Sequence, residues 1–168
     1  MLFVLLKKIN DVLCAVLKVC CLFLVAVFTL VVLFQVLARN YLLISVPWTD
    51  EVALIFFVWS VFLGAALGLR RRMHFLVELF PRSCVCLNSF LDVVSDFLVL
   101  GVVGVLLWGG AIFSWMGLRR KFSSILVTQA YLFVSMPATA FCMLLFSVEN
   151  LSGDLRRLKQ LLFGEGGK

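Results

Sequence analysis

The chain has 168 residues, 64% of them hydrophobic and 14% charged, with a formal net charge of +6 and a mean hydropathy of +1.15. A soluble domain of this size would be about half apolar and about a quarter charged, so a water-soluble globule is excluded. The basic residues sit at the ends of apolar runs, where they meet lipid headgroups and set orientation, so the positive charge does not point to nucleic acid.

A hydrocarbon core of about 30 Å needs about 20 apolar residues per helix. Four stretches qualify, 19–38, 52–69, 97–118 and 125–148. They predict an all-α integral membrane protein, one four-helix domain over 1–168, with short interfacial helical segments. Residues 1–18 read as an amphipathic lead-in, since Lys7, Lys8, Asn10, Asp11 and Lys18 interrupt apolar residues. Lys7 and Lys8 follow apolar residues and no small-residue cleavage site comes after, so the first span is expected to be retained. Lys18 can snorkel toward the headgroups. Near the far end of that span Gln35 and Arg39 share a helix face at i, i+4.

Residues 40–49 form a short connection in which Pro47 and Trp48 suit an interface. Thr49 is a candidate N-cap, with Asp50 and Glu51 in the first turn of the second span, where acids favour the positive end of the helix dipole. Ser60, Gly64 and Gly68 then repeat every fourth residue. Small residues at that spacing let another helix approach closely, so Gly64→Leu is expected to weaken packing in the chain or in a complex. Arg70, Arg71 and Arg72 close the span. Phe75 to Phe80 is too short to cross and suits the interface, and Pro81 ends it. Asn88, Asp92 and Asp96 make a polar stripe before the third span, within reach of the arginine cluster.

The third span carries Gly101, Gly104, Gly109, Gly110, Trp108 and Trp115, and Arg119, Arg120 and Lys121 close it. Pro137 removes a backbone hydrogen bond from the fourth span and predicts a kink, with Ser135 and Thr139 placed to satisfy freed carbonyls. By side, eleven Lys and Arg fall with the chain ends and with Arg70 to Arg72, against four at Arg39, Arg119, Arg120 and Lys121. That bias places both termini in the cytoplasm. Arg119 to Lys121 oppose the rule, and are expected either to meet a partner on the outer face or to meet lipid phosphates.

Chemistry is sparse. His74 is the only histidine, so a bis-histidine haem site is excluded, and a Ser-His-Asp site would have to use a residue beside three arginines. No phosphate-binding loop of the G-x-x-x-x-G-K-[ST] kind and no H-E-x-x-H occur. The six cysteines make no disulfide framework, and Cys84-x-Cys86 is too close for the usual metal spacing. The spans lack the central acids that ion or proton pathways place in membranes. No cofactor, metal site or catalytic residue is therefore expected. The best polar constellation sets Gln35 and Arg39 against Asp50 and Glu51. An Arg–carboxylate pair there would lock the first hairpin by about 1 kcal/mol or less.

The same residues carry a family resemblance. The order Q-V-x-x-R-x-Y (Gln35, Val36, Arg39, Tyr41), then W-T-D-E (Trp48 to Glu51), then a span with Trp59 and Gly64, then a basic exit with Arg70 and His74 resembles the small DctQ-type membrane subunit of tripartite ATP-independent periplasmic (TRAP) transporters. Pro137 fits as well. The departures are three consecutive arginines before Met73, where the family has a small residue before the histidine, and Phe75 in place of an aliphatic. The resemblance implies a multi-pass subunit of the bacterial inner membrane that touches membrane lipids and pairs with a large membrane subunit. The large subunit holds the substrate and sodium sites. A periplasmic substrate-binding protein delivers organic acids. Gln35, Arg39, Trp48, Asp50, Glu51, Ser60, Gly64, Gly68, Arg70 and His74 are the structural and interface candidates, and Arg119, Arg120 and Lys121 the candidate docking residues. The competing readings are a free-standing small transporter or channel acting as a homo-oligomer, and a membrane redox enzyme, against which the single histidine argues.

Overall fold

The computed structural model describes residues 2–70 and 85–163. Its elements are helices α1 (Leu2–Tyr41), α2 (Pro47–Arg70), α3 (Val85–Gly117), α4 (Ala130–Phe133) and α5 (Ser135–Phe163). Four stretches are long and apolar enough to cross a membrane, Asn10–Tyr41, Pro47–Arg70, Leu91–Gly117 and Ala130–Leu155. The chain is an all-α, four-span membrane protein. His74, Arg71, Arg72, the segment 75–80, Pro81 and Cys84 lie outside the described residues.

Besides α3, which starts at Val85 rather than near 97, and α5, which runs on to Phe163 rather than ending near 148, three boundaries differ from those the sequence suggested. The lead-in and first span are one helix of 40 residues, about 60 Å long at 1.5 Å per residue. No Gly or Pro precedes Pro47, so nothing in the sequence breaks it. Second, α2 starts at Pro47, because proline is preorganised for the first helical position and has no N–H to leave orphaned. Thr49 therefore sits inside the first turn and is no N-cap; its hydroxyl donates to the Val46 carbonyl at 2.6 Å. Third, the last span begins at Ala130 and not near Ile125. Residues 121–128 form a hairpin-like turn joined by a Lys121–Thr128 bridge.

Pro137 has no N–H to donate, and Val134 keeps helical dihedrals, φ −60° and ψ −22°. The last span is interrupted at Val134, between α4 and α5. Ser135 Oγ donates to Leu132 O at 2.6 Å and Thr139 Oγ1 to Ser135 O at 2.6 Å, so the hydroxyls cover carbonyls around the break.

The helices pair as two hairpins. α1 lies on α2, α3 lies on α5, and α2 on α5 joins the pairs. Side-chain contacts run in opposite directions along α1 and α2. Asp11 meets Arg70, Cys21 Sγ reaches Ser60 O at 3.6 Å, the Phe28 and Phe57 rings lie 5.4 Å apart, and Phe34 lies 6.3 Å from Trp48. The core sits between α2 and α5, around Ala66, Ala140 and Phe146, all fully buried. The α2 and α3 backbones stay apart, although side chains of both join the core around Ala66 and Val103. An apolar groove of about 350 Å³ lies between them, bounded by Ala65, Leu69, Val102 and Met143. Large apolar side chains such as Phe23, Leu30 and Val105 are exposed on α1 and α3. In a bilayer this is where lipid or another membrane helix belongs.

Of the stripe Ser60, Gly64 and Gly68, Gly64 makes no tight approach. A Cβ on Gly64 would meet only Cys21 Sγ, at 4.0 Å. A Cβ on Gly110 would fall 2.8 Å from Pro137 Cδ and 2.9 Å from Met136 Cβ, and one on Gly117 would fall 2.9 Å from Ala130 N. These two glycines seat α3 against α4 and the start of α5.

Candidate functional site

Polar side chains gather at the two ends of the bundle. At one end Arg70 closes α2. Its guanidinium bonds Asp11 Oδ1 at 2.7 Å and Glu149 Oε1 at 3.0 Å and lies over the Phe146 ring, 5.8 Å from its centre. Asn10 Nδ2 donates to Glu149 Oε2 at 2.5 Å and to Leu145 O at 3.2 Å. Asn10 and Glu149 are both buried. This cluster ties α1, α2 and α5 together. Sequence reasoning named Arg70 but missed Asn10 and Glu149. The available signal was Glu149 itself, the only acid within the 26 residues before Asp154.

The other end is built on the first turn of α2. Gln35 Nε2 donates to Asp50 Oδ1 at 2.5 Å, which closes the α1–α2 hairpin. The expected Arg–carboxylate lock is replaced by this bond. Arg39 is exposed and makes no ion pair among the described residues. Consecutive helical residues point about 100° apart, so with Asp50 on α1 Glu51 faces elsewhere. Gln35, Arg39 and Asp50, with Leu43 to Val46, line a pocket of about 320 Å³. Leu43, with φ 53°, holds a left-handed conformation there, costing about 1–2 kcal/mol for a residue with a Cβ.

Glu51 turns the other way, to a segment more than seventy residues along the chain. Its Oε1 accepts the Ser123 N–H at 2.8 Å, and its Oε2 accepts the Ser124 N–H at 3.0 Å and the Ile125 N–H at 2.9 Å. One carboxylate thus satisfies three successive amides of the turn. The segment is also closed by its own backbone, with Phe122 N–H to Val127 O at 3.1 Å and Gln129 N–H to Arg120 O at 2.9 Å. Just beyond it, Trp59 Nε1 donates to Tyr131 O at 2.9 Å. Phe113 and Phe133 stack at 5.9 Å. Arg119, Arg120 and Lys121 all stand exposed at the base of this turn, and Leu126 is wholly exposed on it.

The two polar ends are one membrane thickness apart. Twenty residues separate Asp50 from Arg70, about 30 Å of helix, the thickness of a hydrocarbon core. The remaining interface candidates fall between or beside them. Trp48 is partly exposed at the Glu51 end, Ser60 is buried against α1, and Gly64 and Gly68 are half-buried. The structure does not bring Ser60, Gly64 or Gly68 to either polar cluster.

A family model described as tripartite ATP-independent periplasmic transporters, DctQ component, matches residues 28–157. The chain belongs to the DctQ family. The match takes in Gln35, Glu51, Arg70, the 121–128 turn and Glu149, and starts after Asn10 and Asp11. Among curated proteins, none matches. This DctQ chain is therefore a small component of a TRAP transporter, a multi-pass membrane protein whose family works with other subunits.

Proposed function

We propose that this chain is the fixed scaffold subunit of its transporter. It anchors a large membrane subunit in the bacterial inner membrane and helps to dock a periplasmic substrate-binding protein during sodium-coupled uptake of organic acids. Both termini lie in the cytoplasm, in keeping with eleven basic residues on the Arg70 side against four on the Glu51 side. The Glu51 end then faces the periplasm, where a binding protein would arrive.

The observation that carries this reading is the placement of the polar contacts. The bundle is clasped at both ends, by Arg70 with Asp11 and Glu149 and by Glu51 with the 123–125 amides, and the middle of each span carries no charged residue, Lys18 and Asp96 lying toward the Arg70 end. A bundle of this kind offers an ion no path and has no loose end about which to rock, which suits a brace. Substrate and sodium would be handled by the partner.

Two experiments test the two parts. A pull-down of the tagged chain from native membranes in mild detergent should recover a large polytopic protein at near-equal stoichiometry. Recovery of the chain alone, as a monomer or homo-oligomer, would overturn the anchoring role. Replacing Arg119, Arg120 and Lys121 together by Gln should raise the dissociation constant of the transporter's own substrate-binding protein for the nanodisc-held complex about tenfold or more. An unchanged constant would overturn the docking role.

A further inference from the structure

We propose that the turn from Lys121 to Thr128 is a preformed docking element whose shape is set by Glu51. Leu126 is its apolar contact, Arg119, Arg120 and Lys121 form its charged rim, and the partner is a soluble protein with an apolar socket flanked by carboxylates. The proposal rests on the docking role given above.

Three observations converge on it. The first is the hold that Glu51 has on the backbone. Ordinary surface turns leave their amides to water, yet here Ser123, Ser124 and Ile125 all donate to one side chain at 2.8–3.1 Å. Fixing successive amides around an acceptor removes the conformational freedom a loop would otherwise lose on binding. The second is Leu126, 101% exposed. It touches nothing in its own chain, so folding gives no reason for an apolar side chain there. The third is charge. Arg119, Arg120 and Lys121 are exposed beside it, and Glu51, the nearest acid in these contacts, is turned onto the amides rather than onto them. The patch keeps its positive charge and would attract and orient an acidic surface.

A lipid surface would also accept a leucine and three cations. It places no demand on the backbone of the turn, because headgroups are mobile and adapt to whatever they meet. A turn fixed by three bonds to a carboxylate on another helix fits a partner that has a shape of its own. Trp59 supports the same geometry one turn further on by holding Tyr131 O at 2.9 Å. In this role Glu51 is a positioning residue: it acts on the partner through the turn.

The test uses the complex with the large subunit in nanodiscs and the transporter's own substrate-binding protein as probe. Glu51→Gln should speed hydrogen exchange at the amides of 123–125 and raise the dissociation constant about tenfold. Recovery of the large subunit in a pull-down should be unchanged. Glu51→Asp, which keeps the charge on a shorter side chain, should fall between. Leu126→Asp removes no contact within the chain, and recovery of the large subunit checks that the complex still assembles. This variant too should raise the constant about tenfold, while leaving exchange at 123–125 as it was. If the Arg119/Arg120/Lys121 variant weakens binding but the Leu126 and Glu51 variants do not, the docking role stands and this inference falls. If all three sets leave binding unchanged, the docking role itself falls, and the inference with it. If Leu126→Asp instead lowers affinity for phosphatidylglycerol vesicles and leaves the binding protein unaffected, the turn is a lipid contact and the proposal is overturned.

Discussion

Replacing Arg70 with Met should be among the most damaging single changes at the polar ends, and the structure sets its size. Arg70 serves two acids in different surroundings. The Asp11 side chain is 59% exposed, so its 2.7 Å bond is screened by water and is worth about 1 kcal/mol or less. The Glu149 side chain is 8% exposed. Without the guanidinium it is left as a buried carboxylate with the Asn10 amide as its remaining partner among the described residues, and breaking one half of such a pair costs about 3–5 kcal/mol. The contact with Phe146 adds about 0.5–1 kcal/mol. For a protein of this length 1 kcal/mol moves Tm by about 2–4 °C, so the sum of these losses, about 3.5–7 kcal/mol, should lower it by about 7–28 °C for Arg70→Met. Asp11→Asn should lower it by no more than about 4 °C. Thermal unfolding in detergent, followed by tryptophan fluorescence, reads all of these. The decisive variant is Arg70→Met with Glu149→Gln, which removes both charges and leaves nothing buried and unpaired. It should recover most of the loss, with a coupling energy of about 2 kcal/mol or more. Equal shifts for Arg70→Met and Asp11→Asn, or a double variant whose loss is the sum of the singles, would refute the claim that burial of Glu149 decides the matter.

Two further substitutions test the packing. Gly110→Ala puts a methyl within 3 Å of Pro137 and Met136 and should cost about 1–3 kcal/mol. Gly64→Ala meets only Cys21 Sγ at 4.0 Å and should be neutral or stabilise by about 0.5–1 kcal/mol through helix propensity; the same unfolding assay would expose a reversal of this order. Trp59→Phe removes the bond to Tyr131 O. It should cost about 1 kcal/mol and raise the proteolysis rate of the 121–128 turn, and an unaltered cleavage rate would show that Trp59 does not hold this segment.

What the sequence made legible was what depends on neighbours in the chain. Four apolar runs are each long enough to cross, and the structure has four such helices. The Gln35–Asp50 contact was within reach too, because a connection of a few residues must return the chain on the same side. The continuity of α1 was legible but passed over. Charged residues at 7, 8, 11 and 18 suggest an interface, yet no Gly or Pro stands among them to break the helix. The start of the last span was misplaced for a related reason. Hydropathy rises through Ile125, Leu126 and Val127 whether those residues are helical or in a turn. The carboxylate that holds the turn lies on α2, and periodicity carries no information about such a contact. The same holds for Gly110 and Gly117. The sequence shows many glycines, but only the position of Pro137 and Ala130 across the interface says which of them must lack a side chain.

One helix carries most of these contacts. α2 meets α1 through Asp50 and Ser60, the outer turn through Glu51, the last span through Trp59, and the far end of the bundle through Arg70. Much of its surface is left open by the other helices. In a bilayer the hydrophobic effect does not drive one apolar helix against another, so directional bonds and close approach must supply the specificity. α2 has directional bonds near both ends and along its length, and the closest approach lies elsewhere, between α3 and the break at Pro137. The hairpins are thus joined by two different means. Bonds fix the registers of α2 against α1 and against the outer turn, and steric fit at Gly110 and Gly117 fixes α3 against α5. A change at Glu51 should therefore alter the outer turn and leave the α3–α5 pair intact, whereas a change at Gly110 should move that pair and reach the turn only through Gly117. On the scaffold reading, docking at the outer face and bracing of the large subunit are separable by mutation because their supports are physically distinct.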